Sequence, residues 1–519
     1  MLEKYPWFNE RQKKLTDEVN EFVDEITPRA YEAAIKQEHP RDLIKMVAEK
    51  GWFGALVPEE YGGMGKEVGV TGCQIICEGL TRAGTIGGVY SATSFGGVEQ
   101  ICMFGTEEQK ERWLPKIARG ELLGAITLTE PFVGTDAAGI RTTAKRDGDY
   151  YILNGKKRFI SNSGVADIYM VYAKTSEDPK DRAAYKHLSA FIVEKGTPGF
   201  TVERINELAV FRGIRNGILD FDNARVPASN MLLGEGNGWG VMTAGLNFER
   251  LTVATQIIAG MREALRYALY FATKRVQFNQ RTIDFESNQY KLADIIIRLK
   301  TARLLTYYAA WMMDQGLNPV VEANAAKIYA TEACREAALD ALQIIGGDGF
   351  TKFYPVEQIL LDAKILEVGA GTNEVLRRLL TAQARRIMAD ELKAPRRRIH
   401  KELRFPIPYY KPSPEFAPKK VPKDLKGMEE AILEALAADY FVNPGLHMKR
   451  EELIEDTGLE EEQLDEALVS LEEKKLVDLY RTRQGVIILA KATYEGLKKA
   501  KPKEYYQWYP PWSKEDERF

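Results

Sequence analysis

Leu128-Thr129-Glu130-Pro131-Phe132-Val133-Gly134-Thr135-Asp136-Ala137-Ala138-Gly139 stands where the chain changes its pattern. Before this stretch, over residues 1–122, apolar residues recur at three-to-four spacing, and Gln12 to Ala33, Arg41 to Lys50 and Glu67 to Arg82 read as helices. Pro58 to Gly65 is a Gly-rich break between two of them, and Thr106-Glu107-Glu108-Gln109 is a helix start with Thr106 as cap. Over residues 123–236 the pattern is that of strands. Tyr150 to Ile160 reads as a hairpin turning at Asn154-Gly155. Ile168 to Ala173, Leu188 to Val193 and Gly217 to Phe221 read as further strands. No helix-length pattern separates them, so an antiparallel barrel or sandwich is expected rather than a βαβ unit.

Residues 237–390 are helical again. Leu251, Ala254, Ile257, Ile258, Met261, Leu265 and Ala268 form one apolar face on a helix starting near Asn247. With Lys291 to Trp311, Pro319 to Leu342 and Asn373 to Arg386, four such helices suggest a bundle. Residues 391–426 are rich in Pro and read as an extended linker. Residues 427–500 give three helices (Met428 to Ala437, Arg450 to Glu455, Glu460 to Lys475) and two strands (Leu476 to Tyr480, Gly485 to Ala490). That order resembles a small winged-helix domain. Its third helix opens Glu460-Glu461-Glu462-Gln463-Leu464-Asp465-Glu466, which repels phosphate, so subunit or partner contacts are expected there and not nucleic acid. Residues 501–519 are too aromatic for a free coil and should pack on the body or on a partner. The fold class is α+β.

The 519 residues suffice for roughly three domains, and 45% apolar with 28% charged residues is the composition of a globular protein. A net charge of −3 gives no reason to expect bulk binding to nucleic acid or anionic membrane. No apolar run reaches the ~18 residues of a membrane span. The mixed-charge start, Met1-Leu2-Glu3-Lys4-Tyr5-Pro6, has neither signal-peptide nor transit-peptide character, so a cytoplasmic, prokaryotic location is expected. Cys73, Cys77, Cys102 and Cys334 read as buried reduced thiols, and no metal site is expected. The four His residues lie near no elbow-type Ser or paired acid, which speaks against hydrolase triads.

Helices, then a β-domain, then a helical bundle is the order of one flavoenzyme family, and the motifs agree. Leu128 to Gly139 resembles the first signature of the acyl-CoA dehydrogenases. Gln343-Ile344-Ile345-Gly346-Gly347-Asp348-Gly349-Phe350 resembles the second, followed at family spacing by Tyr354-Pro355-Val356-Glu357 and Asp362-Ala363-Lys364-Ile365. The resemblance covers residues 10–387. It implies an N-terminal helical domain, a middle β-barrel domain, a C-terminal four-helix bundle and bound FAD. By resemblance, Thr129, Gly134 and Thr135 line the flavin and its pyrophosphate. Phe159 takes the place of the usual Trp against the ring, and Ser161 that of the hydroxyl bonding flavin N5. Arg275, Phe278, Gln343, Gly346 and Gly347 match contacts to the FAD of a neighbouring subunit, and Thr372 and Glu374 match contacts near the pyrophosphate. Shared sites imply a homo-oligomer, usually a tetramer. Val133, Phe353 and Leu361 depart from the family pattern, which bears on loop and interface detail.

The family oxidises an acyl-CoA thioester between Cα and Cβ, and its usual acceptor is an electron-transfer flavoprotein. In Gly369-Ala370-Gly371-Thr372-Asn373-Glu374 the expected carboxylate is missing, because Ala370 stands in its place. The backbone N–H of Ala370 can still donate to the thioester oxygen. The isovaleryl-CoA and long-chain members also lack the loop acid and carry the base on the helix that here reads Leu246-Asn247-Phe248-Glu249-Arg250. Glu249 is therefore the expected base. Glu367 is the other nearby acid and should point away, and a bland role for Glu249 is to stabilise a helix start. Arg250 is expected to position the loop and the base, with Leu246, Asn247 and Gly369 near substrate. Small residues at 369 and 370 favour a short branched, cyclic or aryl-substituted acyl group. Tyr90 occupies the place of the Arg that binds dicarboxylic substrates. An oxidase, an enoyl-CoA reductase or a flavin-bearing scaffold of low activity remain alternatives.

Overall fold

The computed structural model describes residues 2–387, 389, 421–442, 447–482 and 484–500. Residues 391–420 of the Pro-rich stretch and the aromatic tail lie outside the described residues. The chain forms two compact units, residues 1–384 and 385–519.

The first unit opens with α1 (Glu10–Lys36), α2 (Arg41–Glu49), α3 (Gly65–Arg82), α4 (Thr85–Thr93), α5 (Glu99–Phe104) and α6 (Glu107–Ala118). Asn9 and Gln12 bond each other's backbone N–H at the start of α1, and Thr106 and Gln109 do the same at α6. These reciprocal caps satisfy donors that an open helix end leaves orphaned. Leu15, Val19, Val23, Ile76 and Leu80 fill the core between α1 and α3. A π-helical turn, Ser94–Val98, joins α4 to α5.

The strands are β1 (Gly124–Thr127), β2 (Thr143–Asp147), β3 (Tyr150–Ser161), β4 (Ile168–Lys174), β5 (Leu188–Glu194), β6 (Phe200–Ile205), β7 (Asn216–Pro227) and β8 (Met231–Leu232). A short helix, α7 (Pro179–Ala183), separates β4 from β5. Their order is β6-β7-β3-β2-β4-β5-β8, with β1 paired to β4. The two halves of this path join through a single pair, Thr143 with Lys174, and enclose Tyr151, Leu153, Tyr169, Val171, Phe191, Leu219 and Phe221. The path runs from β6 to β8, with β1 beside β4 off that path. The sheet is not wholly antiparallel, since β1 and β2 both run parallel to β4. The expected turn at Asn154-Gly155 is also corrected. β3 is continuous, and the chain turns at Gly148-Asp149, where Gly148 has φ +58°. At Asn154-Gly155 the register with β7 slips by a bulge, which Gly155 accommodates at φ +145°.

The third part contains α8 (Gly238–Lys274), a small hairpin of β9 (Val276–Gln277) and β10 (Gln280–Arg281), α9 (Glu286–Asp314), α10 (Val320–Ile345), α11 (Val356–Leu366) and α12 (Asn373–Ile387). Its core is an Ala-rich seam of Ala323, Ala330, Ala337 and Ala341 against Ile257, Ile258, Met261 and Ile295. α8 starts at Gly238, not near Asn247 as its composition suggested.

The second unit contains α13 (Leu425–Val442), β11 (Met448–Lys449), α14 (Arg450–Thr457), α15 (Glu461–Glu473), β12 (Val477–Arg481), β13 (Ile487–Ala492) and α16 (Tyr494–Ala500). Its strands form a sheet in the order β11-β13-β12, packed on Ile432, Leu436, Leu464, Leu468 and Leu471. No helix among the described residues is long and apolar enough to cross a membrane. Cys73, Cys77 and Cys334 are buried and Cys102 is half-buried.

Candidate active site

Glu249 lies inside α8, about three turns from its first residue. Interaction with the helix dipole falls off within the first turn, so stabilising a helix start does not account for this residue. Its carboxyl makes no ion pair or hydrogen bond to any described residue. Burial lifts its pKa to about 7, against the pull of Arg250 and Lys327. A carboxylate with that proton affinity is suited to act as a base near neutral pH.

The loop between α11 and α12 is held from two sides. Lys327 on α10 donates to Glu367 O at 3.2 Å, Gly371 O at 2.9 Å and Asn373 Oδ1 at 2.8 Å. Arg250 Nε reaches Ala370 O at 3.4 Å while its Nη1 reaches Asn247 Oδ1 at 3.3 Å, so one guanidinium links the loop to α8 beside Glu249. Ala370 sits at φ +56°, an uncommon conformation for a residue with a Cβ. Its N–H donates to no group among the described residues. Thr372 accepts from Val375 N at 3.3 Å and caps α12, and Glu374 is exposed. Gly369 is half-buried, and a Cβ there would meet Leu366 at 3.5 Å. Glu367 is engaged by Arg335 at 2.7 Å and Lys364 at 2.6 Å. Burial would raise its pKa, but these two partners hold it below the usual carboxylate value.

On the β side a second buried lysine performs the fastening. Lys157 Nζ donates to Leu128 O at 3.1 Å, Tyr172 O at 2.7 Å and Glu130 Oε1 at 3.0 Å. Glu130 in turn accepts from Arg141 N at 2.7 Å and Thr142 N at 2.9 Å, which closes the loop on itself. Thr129 O accepts from Arg158 N at 2.8 Å. Gly134 and Thr135 stand exposed, and a Cβ at Gly134 would meet nothing within 4 Å. A bulge between Arg158 and Ile160 turns Phe159 out of the sheet at φ +60°, leaving its ring 53% exposed with the Arg158 guanidinium over it. Strained non-glycine backbone of this kind clusters at functional sites. Ser161 Oγ accepts from Asn216 Nδ2 at 3.5 Å.

Arg275, Phe278, Gln343 and Gly347 are exposed and Gly346 half-buried, on the hairpin after α8 and the end of α10, with open space at both glycines. Phe278 is 89% exposed. Leu246 and Asn247 are half-buried on α8 beside Glu249. Tyr90 lies on α4. It is buried in the helical core, with its hydroxyl on Trp52 O and Cys73 Sγ. Sequence reading missed Glu130, Lys157, Lys327 and Glu99. A lysine on the inward-facing side of a strand or helix was the available signal for two of them.

Open glycines at 134, 346 and 347, an outward-turned Phe159 and the hydroxyls of Thr129 and Thr135, which bond no group among the described residues, suit a flat ring system carrying a pyrophosphate. Comparison with known proteins agrees with this architecture. Residues 9–121 match the family model for the acyl-CoA dehydrogenase N-terminal domain, 125–224 the middle domain and 236–385 the C-terminal domain. The chain is 42% identical over 357 residues to an acyl-CoA dehydrogenase of Bacillus subtilis (strain 168), covering 69% of this chain and 93% of that one. It is 35% identical over 380 residues to mitochondrial isovaleryl-CoA dehydrogenase of Pongo abelii, covering 72% and 89%. The structure of butyryl-CoA dehydrogenase from Megasphaera elsdenii superposes with a TM-score of 0.70 at 34% identity, covering 74% of this chain and 100% of that one. The chain belongs to the acyl-CoA dehydrogenase family, whose members are flavin-dependent oxidoreductases.

Proposed function

We propose that the protein catalyses FAD-dependent α,β-dehydrogenation of an acyl-CoA thioester to the 2-enoyl-CoA, with Glu249 as the base. The observation that carries this reading is a carboxyl without ion pair or hydrogen bond among the described residues, next to a loop whose own acid position is Ala370. Glu249 takes the α proton. The Ala370 N–H donates to the thioester oxygen, where enolate charge develops. Arg250 keeps loop and base in register through Ala370 O and Asn247. Bound FAD would supply the acceptor for the hydrogen that leaves Cβ as hydride. Thr129, Gly134 and Thr135 would line the flavin and its pyrophosphate, Thr372 and Glu374 would lie near the pyrophosphate, and Phe159 and Ser161 would meet the ring. Arg275, Phe278, Gln343, Gly346 and Gly347 would reach the FAD of a neighbouring subunit. A homotetramer follows, and the exposed Phe278, Phe350 and Phe353 support it. An electron-transfer flavoprotein is the acceptor, and the location is cytoplasmic.

The acyl group is short and branched, cyclic or aryl-substituted, because Gly369 and Ala370 leave room beside Cα and Cβ. Anaerobic flavin bleaching with a panel of acyl-CoAs checks both points. Glu249→Gln should slow bleaching by about a hundred- to ten-thousand-fold, the usual range for a lost general base. Undiminished bleaching moves the base elsewhere, and a wide preference for straight chains removes the acyl assignment.

A further inference from the structure

Gly245 lies one turn before Glu249 on α8, so the two positions share a face with Cβ sites about 5–6 Å apart. What fills the space at Gly245 is polar. A Cβ there would lie 2.3 Å from Gln100 Nε2 and 3.0 Å from Glu99 Oε2. Glu99 opens α5 directly after the π-helical turn, and its side chain and that of Gln100 meet α8 at Gly245. Both oxygens of Glu99, both amide atoms of Gln100 and the hydroxyl of Tyr172 on β4 are buried without a hydrogen-bond partner among the described residues. Buried polar atoms are nearly always satisfied, and a cluster of orphans in one place is where ordered water sits.

We propose that Glu99 is a second carboxyl of the catalytic centre, a positioning residue that tunes the proton affinity of Glu249 through water held by Gln100 and Tyr172. The proposal rests on Glu249 being the base. The titratable groups facing Glu99 are Glu249 from α8 and Tyr172 from β4, with Cys102 on its own helix and Cys73 on α3 further off. The cations Arg250 and Lys327 act on Glu249. Burial, and then the charge of Glu249, lift the pKa of Glu99 to about 8. Two carboxyls this close ionise in two steps that belong to the pair. Around neutral pH Glu99 is a neutral donor. Once it ionises, its charge makes Glu249 a stronger base.

The rate of anaerobic flavin bleaching by saturating acyl-CoA is measured from pH 5.5 to 10 in wild type, Glu99→Gln, Glu99→Asp and Glu249→Gln. Wild type should show two rises, the upper one roughly three- to ten-fold. Glu99→Gln should keep the lower and lose the upper, and Glu99→Asp should restore it. An upper rise that survives in Glu99→Gln overturns the proposal. Should Glu99→Gln fail to fold, infrared titration of wild type and Glu249→Gln decides instead. The remaining protonated-carboxyl band should be lost at lower pH once Glu249 is gone, and an unmoved band counts against coupling. Full turnover in Glu249→Gln defeats the base assignment itself, whereas a dead Glu249→Gln beside an unaltered Glu99→Gln profile defeats this proposal alone.

Discussion

Two buried lysines hold the two loops that build the site, and they do so in different electrical company. Lys157 fastens the Leu128–Gly139 loop with a carboxylate at hand, Glu130 at 3.0 Å. Lys327 fastens the Glu367–Asn373 loop with two carbonyls and an amide, and no carboxylate lies within ion-pair distance of it among the described residues. Burial pulls both pKa values to about 8, and for Lys327 the neighbouring Arg250 adds to the pull. Where a carboxylate is present, the charge is cancelled locally and the lysine acts as a clasp. Where it is absent, positive charge is left over, and Glu249 feels it.

The largest effect should come from breaking the cancelled pair. Lys157→Met leaves Glu130 charged and buried, with Arg141 and Thr142 as its remaining partners among the described residues. The cost should be about 3–5 kcal/mol, seen as a lowered unfolding midpoint. Lys157→Met with Glu130→Leu should recover most of that loss. Failure to recover would mean that the carbonyl bonds, not the charge pair, hold the loop.

Lys327→Met should cost less, about 1–3 kcal/mol for three hydrogen bonds to loop groups. It should also change chemistry in a way that Lys157→Met does not. With the cation gone, the ionised form of Glu249 is disfavoured, so the acid limb of kcat/KM moves from near pH 7 to higher pH. An unmoved limb would reduce Lys327 to a second clasp.

The inward-facing place of each lysine is a signal in the sequence, but which loop it holds is not. The helix periodicities, the cap at Thr106 and the Gly-rich motifs depend on neighbours a few residues away, and these elements were legible. Lys157 contacts Leu128 and Lys327 contacts Gly371 through backbone carbonyls, which carry no side-chain signature. Local signals also misled where long-range pairing outweighed them. Asn154-Gly155 is a strong two-residue turn signal, but β7 pairs with β3 on both sides of it and converts the turn into a bulge. The apolar face suggested a helix start near Asn247, yet α8 begins at Gly238 and runs through Gly240 and Gly245. At Gly238 a Cβ would strike the Ser189 backbone at 2.7 Å, so glycine there serves packing against β5 and outweighs its poor helix propensity.

The smallest effect is the most discriminating. Glu249 is held near 7 in the fold, above its ordinary 4.5. Between these values the folded protein keeps a proton that the unfolded chain releases, so stability falls as pH rises through that window. Below about 4.5 the buried carboxyl carries no penalty, and above about 7 it carries the whole of it. Glu249→Gln should therefore match wild type in urea unfolding near pH 4.5 and exceed it at pH 8 by about 1–2 kcal/mol, less than the full shift implies because the residue is half-buried and not fully enclosed. Repeating the pair in the Lys327→Met background should widen the gap at pH 8, since the carboxylate has lost a cation. In the Lys157→Met background the gap should stay as it was, because that charge is already cancelled by Glu130. Equal gaps in the two backgrounds would show that Glu249 does not distinguish the lysines, and the contrast between clasp and residual charge would fall.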